Sequence, residues 1–208
     1  MERMVERVVD SEYFQMQHFI SVSPWDAQTG FDSVAMDTSK VFEAFDQVAL
    51  LIDESSHCKK GEYSVGVARQ YCGNIGKVDN CQVAVYGALS AETHYGIIDT
   101  ALYLPESWTS SPERCMAAGI PEEHREYKTK IDLALEIVSH QVEIGTRFDY
   151  VGADGLYGNS YWFQTELNKL GVLFVLDVHR DQHVYTKAPT IFYPKKKGLE
   201  GVILVAIR

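Results

Sequence analysis

Apolar residues recur at helical spacing through the first quarter of this chain and then change rhythm. Residues 10–20 (DSEYFQMQHFI) predict a helix with Phe14, Met16 and Phe19 as its apolar positions. The tetrapeptide Ser-Pro-Trp-Asp at 23–26 predicts a second start, with Ser23 as N-cap, Pro24 at the first helical position and Asp26 completing a capping box. Phe31, Val34, Thr38, Val41, Phe42 and Phe45 follow three or four apart, an amphipathic helix running to Asp46. Its aromatic stripe is expected to be core packing. Residues 47–53 (QVALLID) are a short apolar run closed by a carboxylate, which predicts a strand buried on both faces. The polar stretch 54–63 (ESSHCKKGEY), with Gly61, predicts a loop. Residues 64–73, 80–89 and 96–104 alternate and are rich in Val and Tyr, which predicts antiparallel strands beside the first.

Residues 105–127 carry Pro105, Pro112, Gly119 and Pro121 among many charges, and predict a long irregular connection. Residues 129–145 predict a helix with Ile131, Leu135, Val138 and Val142 inward and Gly145 as its stop. A second apolar run closed by an aspartate (FDYVGAD, 148–154) precedes a helix over 159–170, stopped by Gly171. Residues 172–178 (VLFVLDV) predict another buried strand, and from His179 the chain is basic and β-like. No internal repeat is visible. Antiparallel strands followed by βα units give an α/β fold, a mixed sheet flanked by helices in the ribonuclease-H-like order. The expected division is an N-terminal helical region (1–46), a catalytic core (47–178) and the start of a β-rich insertion (179–208).

Composition narrows the class. At 46% apolar content the chain can bury enough surface to fold, which excludes intrinsic disorder. No window of eighteen apolar residues exists, so no membrane span is expected, and the first residues lack the pattern of a signal peptide. The cysteines Cys58, Cys72, Cys81 and Cys115 form no C-x-x-C pair and read as reduced cytosolic thiols. A net charge of −10 argues against a general nucleic-acid coat protein. The charge is uneven: residues 1–56 hold eleven acids and three bases, whereas 178–208 hold six bases and two acids. A local nucleic-acid surface is compatible with that split.

The chemistry rests on two carboxylates. Asp53 closes the first apolar run and Asp154 the later one, 101 positions on. In mixed α/β sheets sites form outside the carboxyl ends of central strands, and two aspartates there can share hard divalent cations. Such a site activates an attacking oxygen and stabilises a leaving oxygen on phosphorus. A turn or cap role is the alternative for either residue.

The stretch LLIDESSHCKKGEYSVGVARQYCGNIGKVDNCQVAVYGAL resembles the core of bacterial insertion-sequence transposases of the DDE superfamily. LYLPESW, AGIPEEHREYKTK and DYVGADGLYGNSYWFQTEL resemble the same group in the same order, so that the resemblance runs from about Met4 to Asp181. It implies a ribonuclease-H-like core, metal-dependent DNA cleavage and joining with Mg²⁺ or Mn²⁺ (two ions in the complete enzyme), and Asp53 and Asp154 as the first two acids of a triad. It further implies DNA ends and target DNA as partners, self-association of the full-length enzyme, and a cytoplasmic, nucleoid-associated location. The third acid of that family is a glutamate on a later helix, beyond a β-rich insertion. No segment up to Arg208 resembles that helix, and neither Asp177 nor Glu166 lies in its context. The expectation is a transposase fragment, inactive alone; the competing reading is a remnant that binds DNA or intact transposase without cutting.

Several other residues are candidates. Lys59 and Lys60 are expected to approach a DNA phosphate, the alternative being solvated loop charges; Arg69, Lys77, Lys128 and Lys130 are weaker versions of the same idea. Tyr157 is expected to stack on a base or hold a phosphate, the alternative being packing on the next helix. Gly155 and Gly158 permit the turn between strand and helix. Arg180 has the fork that fits phosphate. His179 and His183 have a zinc-like spacing that β structure places poorly. Lys195, Lys196 and Lys197, beside Phe192 and Tyr193, read as a basic strip or an exposed turn.

Overall fold

The computed structural model describes residues 6–7 and 12–182, and the backbone of 191–192 and 203–204. The expected zinc spacing at His183 and the lysines 195–197 lie outside the described residues. Two helices open the described chain, α1 (Tyr13–Ser21) and α2 (Ala27–Phe42). The N-cap of α2 is Asp26, not Ser23: its carboxylate accepts from the backbone of Gln28 (3.1 Å) and Thr29 (3.3 Å) and from the Thr29 hydroxyl (2.6 Å). An ionised oxygen facing open helix donors is the better cap, and Ser23 instead turns back to the His18 carbonyl. The buried face of α2 also differs from the expected stripe. Ala35, Ser39 and Phe42 are buried, while Val34 and Val41 are exposed. Small residues bring this helix onto the sheet, where the Thr38 methyl lies close over Gly96.

The sheet has six strands: β1 (Ala49–Cys58), β2 (Ala68–Cys72), β3 (Lys77–Ala91), β4 (His94–Leu102), β5 (Tyr150–Ala153) and β6 (Phe174–Leu176). Their order is β2-β3-β1-β5-β6, and β4 pairs β3 farther along the edge that β2 begins. β1, β2, β3 and β4 pair antiparallel; β1, β5 and β6 pair parallel. This is the mixed, ribonuclease-H-like sheet expected from the element order. A further antiparallel pair joins Ile191–Phe192 (β7) to Ile203–Leu204 (β8).

Three expectations about burial and length change. β1 does not stop at Asp53 but continues through ESSHC to Cys58, because β3 keeps offering partners from Tyr86 down to Cys81. β2 begins only at Ala68, so the segment 59–67 is the loop. Nor are β1 and β6 buried on both faces: Leu51 is 42% exposed and Val175 66%. Leu51, Gly152 and Val175 stand in one register row and form a small apolar shelf on the open face.

The covered face packs against helices α5 (Lys130–Glu143) and α7 (Tyr161–Leu170). Thr129 and Asp132 close a capping box at the start of α5. The face of α5 that turns inward is Leu133, Ala134, Ile137, Val138 and Gln141, rotated from the expected one; Val142 is 37% exposed. Gly87 on β3 makes the approach possible, since a Cβ there would sit 2.7 Å from Ile137 Cγ2. Gln141 is fully buried and satisfied, donating to Asp99 Oδ2 at 2.9 Å and accepting from Thr146 at 2.7 Å. The connection 105–128 is ordered, with short helices α3 (Glu106–Thr109) and α4 (Pro112–Ala117) over a satellite core of Val67, Trp108, Cys115 and Ile120.

Candidate active site

The parallel pairing of β1 and β5 positions the two acids. Asp149 fixes the start of the pairing, donating to the Val48 carbonyl (2.7 Å) and accepting from the Val48 amide (2.7 Å). Four register pairs follow, ending at Ile52↔Ala153. The next residue on each strand is Asp53 and Asp154. Asp53 remains in its strand, opposite Tyr86 of β3. Asp154 leaves the sheet as the N-cap of a short helix, α6 (Gly155–Gly158). Gly158 lies against the Asp177 backbone, with no room for a Cβ.

Each acid uses one oxygen on the backbone. Asp53 Oδ1 accepts from the Glu54 amide (2.8 Å), and Asp154 Oδ1 accepts from the Leu156 amide (2.9 Å). Among the described residues neither Oδ2 has a protein donor. Asp53 is exposed by area, yet its carboxyl pKa is raised: partial desolvation is the main cause, and the charges of Glu54 and Asp154 add to it. The backbone bond to Glu54 and the Lys130 charge oppose the rise. Two hard carboxylate oxygens left over, on residues that repel each other, suit a divalent cation whose other positions go to water or phosphate. Among the described residues no three His, Cys, Asp or Glu side chains form a metal cage. Asp177 continues the row of Asp53 and Asp154 beyond β6, and Glu166 pairs with Lys169 at 2.7 Å.

Beside the acids lies a cluster that the sequence did not announce. Strand alternation turns Glu54 to the covered face while Asp53 faces the open one. Glu54 accepts from Lys130 Nζ at 2.9 Å through one oxygen and from the Tyr157 hydroxyl at 2.9 Å through the other. The ring of Tyr157 is fully buried against Phe163. Its burial, with Glu54 the next cause, drives the phenol pKa far up, so it stays a donor. This corrects the expectation that Tyr157 contacts a nucleotide, since no face of the ring is open to a base. The signal available in sequence was only that Glu54 has the opposite parity to Asp53; its partners come from segments more than seventy residues away.

The basic candidates divide. Lys130 is committed to Glu54, Lys128 to Glu136 (2.6 Å) and Lys77 to Asp79 (3.4 Å). Lys60, Arg69 and Arg180 are exposed, Lys59 is half-buried, and none has a carboxylate partner among the described residues. Lys59 and Lys60 open the loop after β1, where Tyr63 is 95% exposed. A concavity of about 640 Å³ beside that loop is lined by Tyr63, Arg69, Asn80, Trp108 and Arg114, with the Arg114 guanidinium 3.8 Å over the Trp108 ring. Another of about 520 Å³ lies between β4 and α5, near Asp99, His124 and His140. Neither includes the acids. His179 rests beside Gly155, its amide donating to Asn159 Oδ1 at 3.2 Å. No helix among the described residues is long and apolar enough to cross a membrane.

Comparison with known proteins bears on these features. A family model described as DDE superfamily endonuclease matches residues 1–202. A probable transposase for insertion sequence element IS701 from Microchaete diplosiphon is 29% identical over 170 residues. The matched stretch covers 81% of this chain and 41% of that relative, so the chain spans well under half of its length.

Proposed function

The chain belongs to the DDE superfamily of endonucleases, and on that premise we propose that residues 47–178 are the catalytic core of a transposase that cuts and joins DNA. In this reading Asp53 and Asp154 would hold Mg²⁺ or Mn²⁺. A divalent ion bound there would activate an attacking oxygen and neutralise charge on phosphorus. The side chains contribute position and charge. Asp154 is aimed by its own capping bond, Asp53 by the strand, and Glu54 with Lys130 and Tyr157 keeps β1 and α6 in fixed relation. Lys59, Lys60 and Arg180 contact DNA phosphates, and the Tyr63–Arg114 concavity extends that surface. Self-association and a nucleoid location accompany DNA transposition in this reading.

The observation that carries the proposal is the coincidence of Asp53 and Asp154 just past the last register pair of two parallel strands. Its test is calorimetric titration of the chain with Mn²⁺, followed by incubation with supercoiled plasmid. Loss of Mn²⁺ binding in both Asp53→Asn and Asp154→Asn is expected. Binding that survives both substitutions would overturn the assignment. Weak or absent Mn²⁺ binding in the unsubstituted chain would instead favour a remnant that binds DNA or intact transposase without cutting.

A further inference from the structure

Three of the four cysteines meet at one point of the sheet, away from the acids. Cys58 ends β1, and its register partner on β3 is Cys81. Cys72 ends β2. The turn that follows, Gly73–Ile75, folds back over the end of β1: the Asn74 amide donates to Ser56 Oγ at 3.3 Å and its side chain to the Ser56 carbonyl. That fold-back brings Cys72 Sγ to 3.3 Å from Cys58 Sγ. Cys72 and Cys81 are fully buried, while Cys58 is exposed. Cys115 is separate, buried beside the Trp108 carbonyl. The three thiols do not make a metal cage, and the cutting of DNA has no use for them.

We propose that Cys58 and Cys72 form a reversible disulfide by exchange with a low-molecular-weight disulfide such as oxidised glutathione. The order of events follows from exposure. Cys58 gives up its proton and its sulfur attacks one glutathione sulfur; the Cys58–glutathione bond forms and the first glutathione leaves as thiolate, taking up a proton. Cys72 then attacks Cys58 Sγ, the mixed disulfide breaks, and the second glutathione leaves in the same way. The protein dithiol loses two electrons and one glutathione disulfide becomes two thiols. The gap from 3.3 Å to a bond of about 2 Å needs roughly 1 Å of approach, within reach of a turn and a strand end.

The surroundings favour Cys72 as the closing sulfur. The Ser56 hydroxyl, with Cys58 and Cys81 after it, holds the Cys72 thiol below its ordinary range. Burial pushes Cys81 up to about 11, which keeps it a thiol. The hydrogen bond to Cys72 holds Cys58 up, so the first step is the slow one and quickens as pH rises.

The test is incubation of the native chain with oxidised glutathione, blocking of free thiols, and peptide mapping by mass spectrometry. The expected product has lost two hydrogens, links the Cys58 and Cys72 peptides, and reverts with dithiothreitol. Its thermal midpoint rises by about 6–12 °C, as a closed loop of this length implies. Cys72→Ala stops at a stable glutathione adduct on Cys58, Cys58→Ser forms no adduct at Cys72, and Cys115→Ser changes nothing. A wild-type chain that stops at the mixed disulfide, links Cys72 to Cys81, or forms the Cys58–Cys72 link equally fast in urea would overturn the proposal.

Discussion

Replacing Tyr157 by Phe removes one oxygen and isolates the bond that holds Glu54. The hydroxyl donates to Glu54 Oε2 at 2.9 Å, and the ring around it is fully buried. The other Glu54 oxygen keeps Lys130 at 2.9 Å, and the two side chains are 24% and 23% exposed. The substitution preserves ring packing on Phe163 and leaves Oε2 without its donor. A hydrogen bond to a charged group contributes about 1.5–3 kcal/mol. The remaining exposure lets water take part of the vacated role, so the expected loss is in the lower half of that range, about 1.5–2 kcal/mol. In a chain of this size each kcal/mol moves the midpoint by about 2–4 °C, which predicts a fall of about 3–8 °C. Calorimetry and urea denaturation measure it, with an unchanged m-value confirming that only stability moved. A double-mutant cycle with Glu54→Gln should return a coupling of about 1 kcal/mol or more. Tyr161→Phe, at a position 81% exposed, is the control and should stay within about 0.5 kcal/mol of wild type. A Tyr157→Phe midpoint indistinguishable from wild type, or a coupling near zero, would refute the assignment of that hydroxyl to Glu54.

Other outcomes follow from the same geometry. Because its setting raises the Asp53 pKa, ionising this carboxyl opposes folding. That cost is absent below the ordinary value of about 4 and complete above the raised one, so Asp53→Asn should gain midpoint over wild type between pH 4 and pH 7 while losing Mn²⁺ binding. A gain that shrinks with rising pH would contradict the sign. Gly158→Ala drives a methyl into the Asp177 carbonyl; overpacking of this kind is expected to cost about 3 kcal/mol or more, read from the urea midpoint. Gln141→Leu removes the donor to Asp99, which is only 4% exposed, and a loss of about 2–3 kcal/mol in chemical denaturation is expected.

The parts of the fold legible in sequence were those fixed by local pattern. The Val- and Tyr-rich alternation located β3 and β4, the apolar spacing over 129–145 located α5, and Gly171, at φ +73°, stopped α7 as expected. The apolar runs located β1 and β5 and so put Asp53 and Asp154 at neighbouring positions. What failed was whatever a distant partner decides. ESSHC is polar and looks like loop, but β3 is long enough to hold it as strand. The inward face of α5 departs from the one its apolar spacing predicts because Gly87 and Asp99, on other strands, admit Ile137 and Gln141. Glu54, seventy-six positions away, takes the charge that Lys130 would offer a phosphate, and α7 closes over the Tyr157 ring that its loop position would offer a nucleotide.

The register of β1 against β5 makes the spacing of the two acids a matter of counting. Asp53 is the fifth residue after Val48, and Asp154 the fifth after the Asp149 that grips it. Deleting one residue within either stretch shifts that acid by roughly 3.3 Å and turns it to the opposite face of the sheet. A change of length in the loop 59–67 or the connection 105–128 leaves the count untouched. Sensitivity to insertion and deletion at the site is therefore concentrated in two six-residue windows, which behave like the teeth of a gear pair, while the loop 59–67 and the connection 105–128 can change length without altering the count that places either carboxylate.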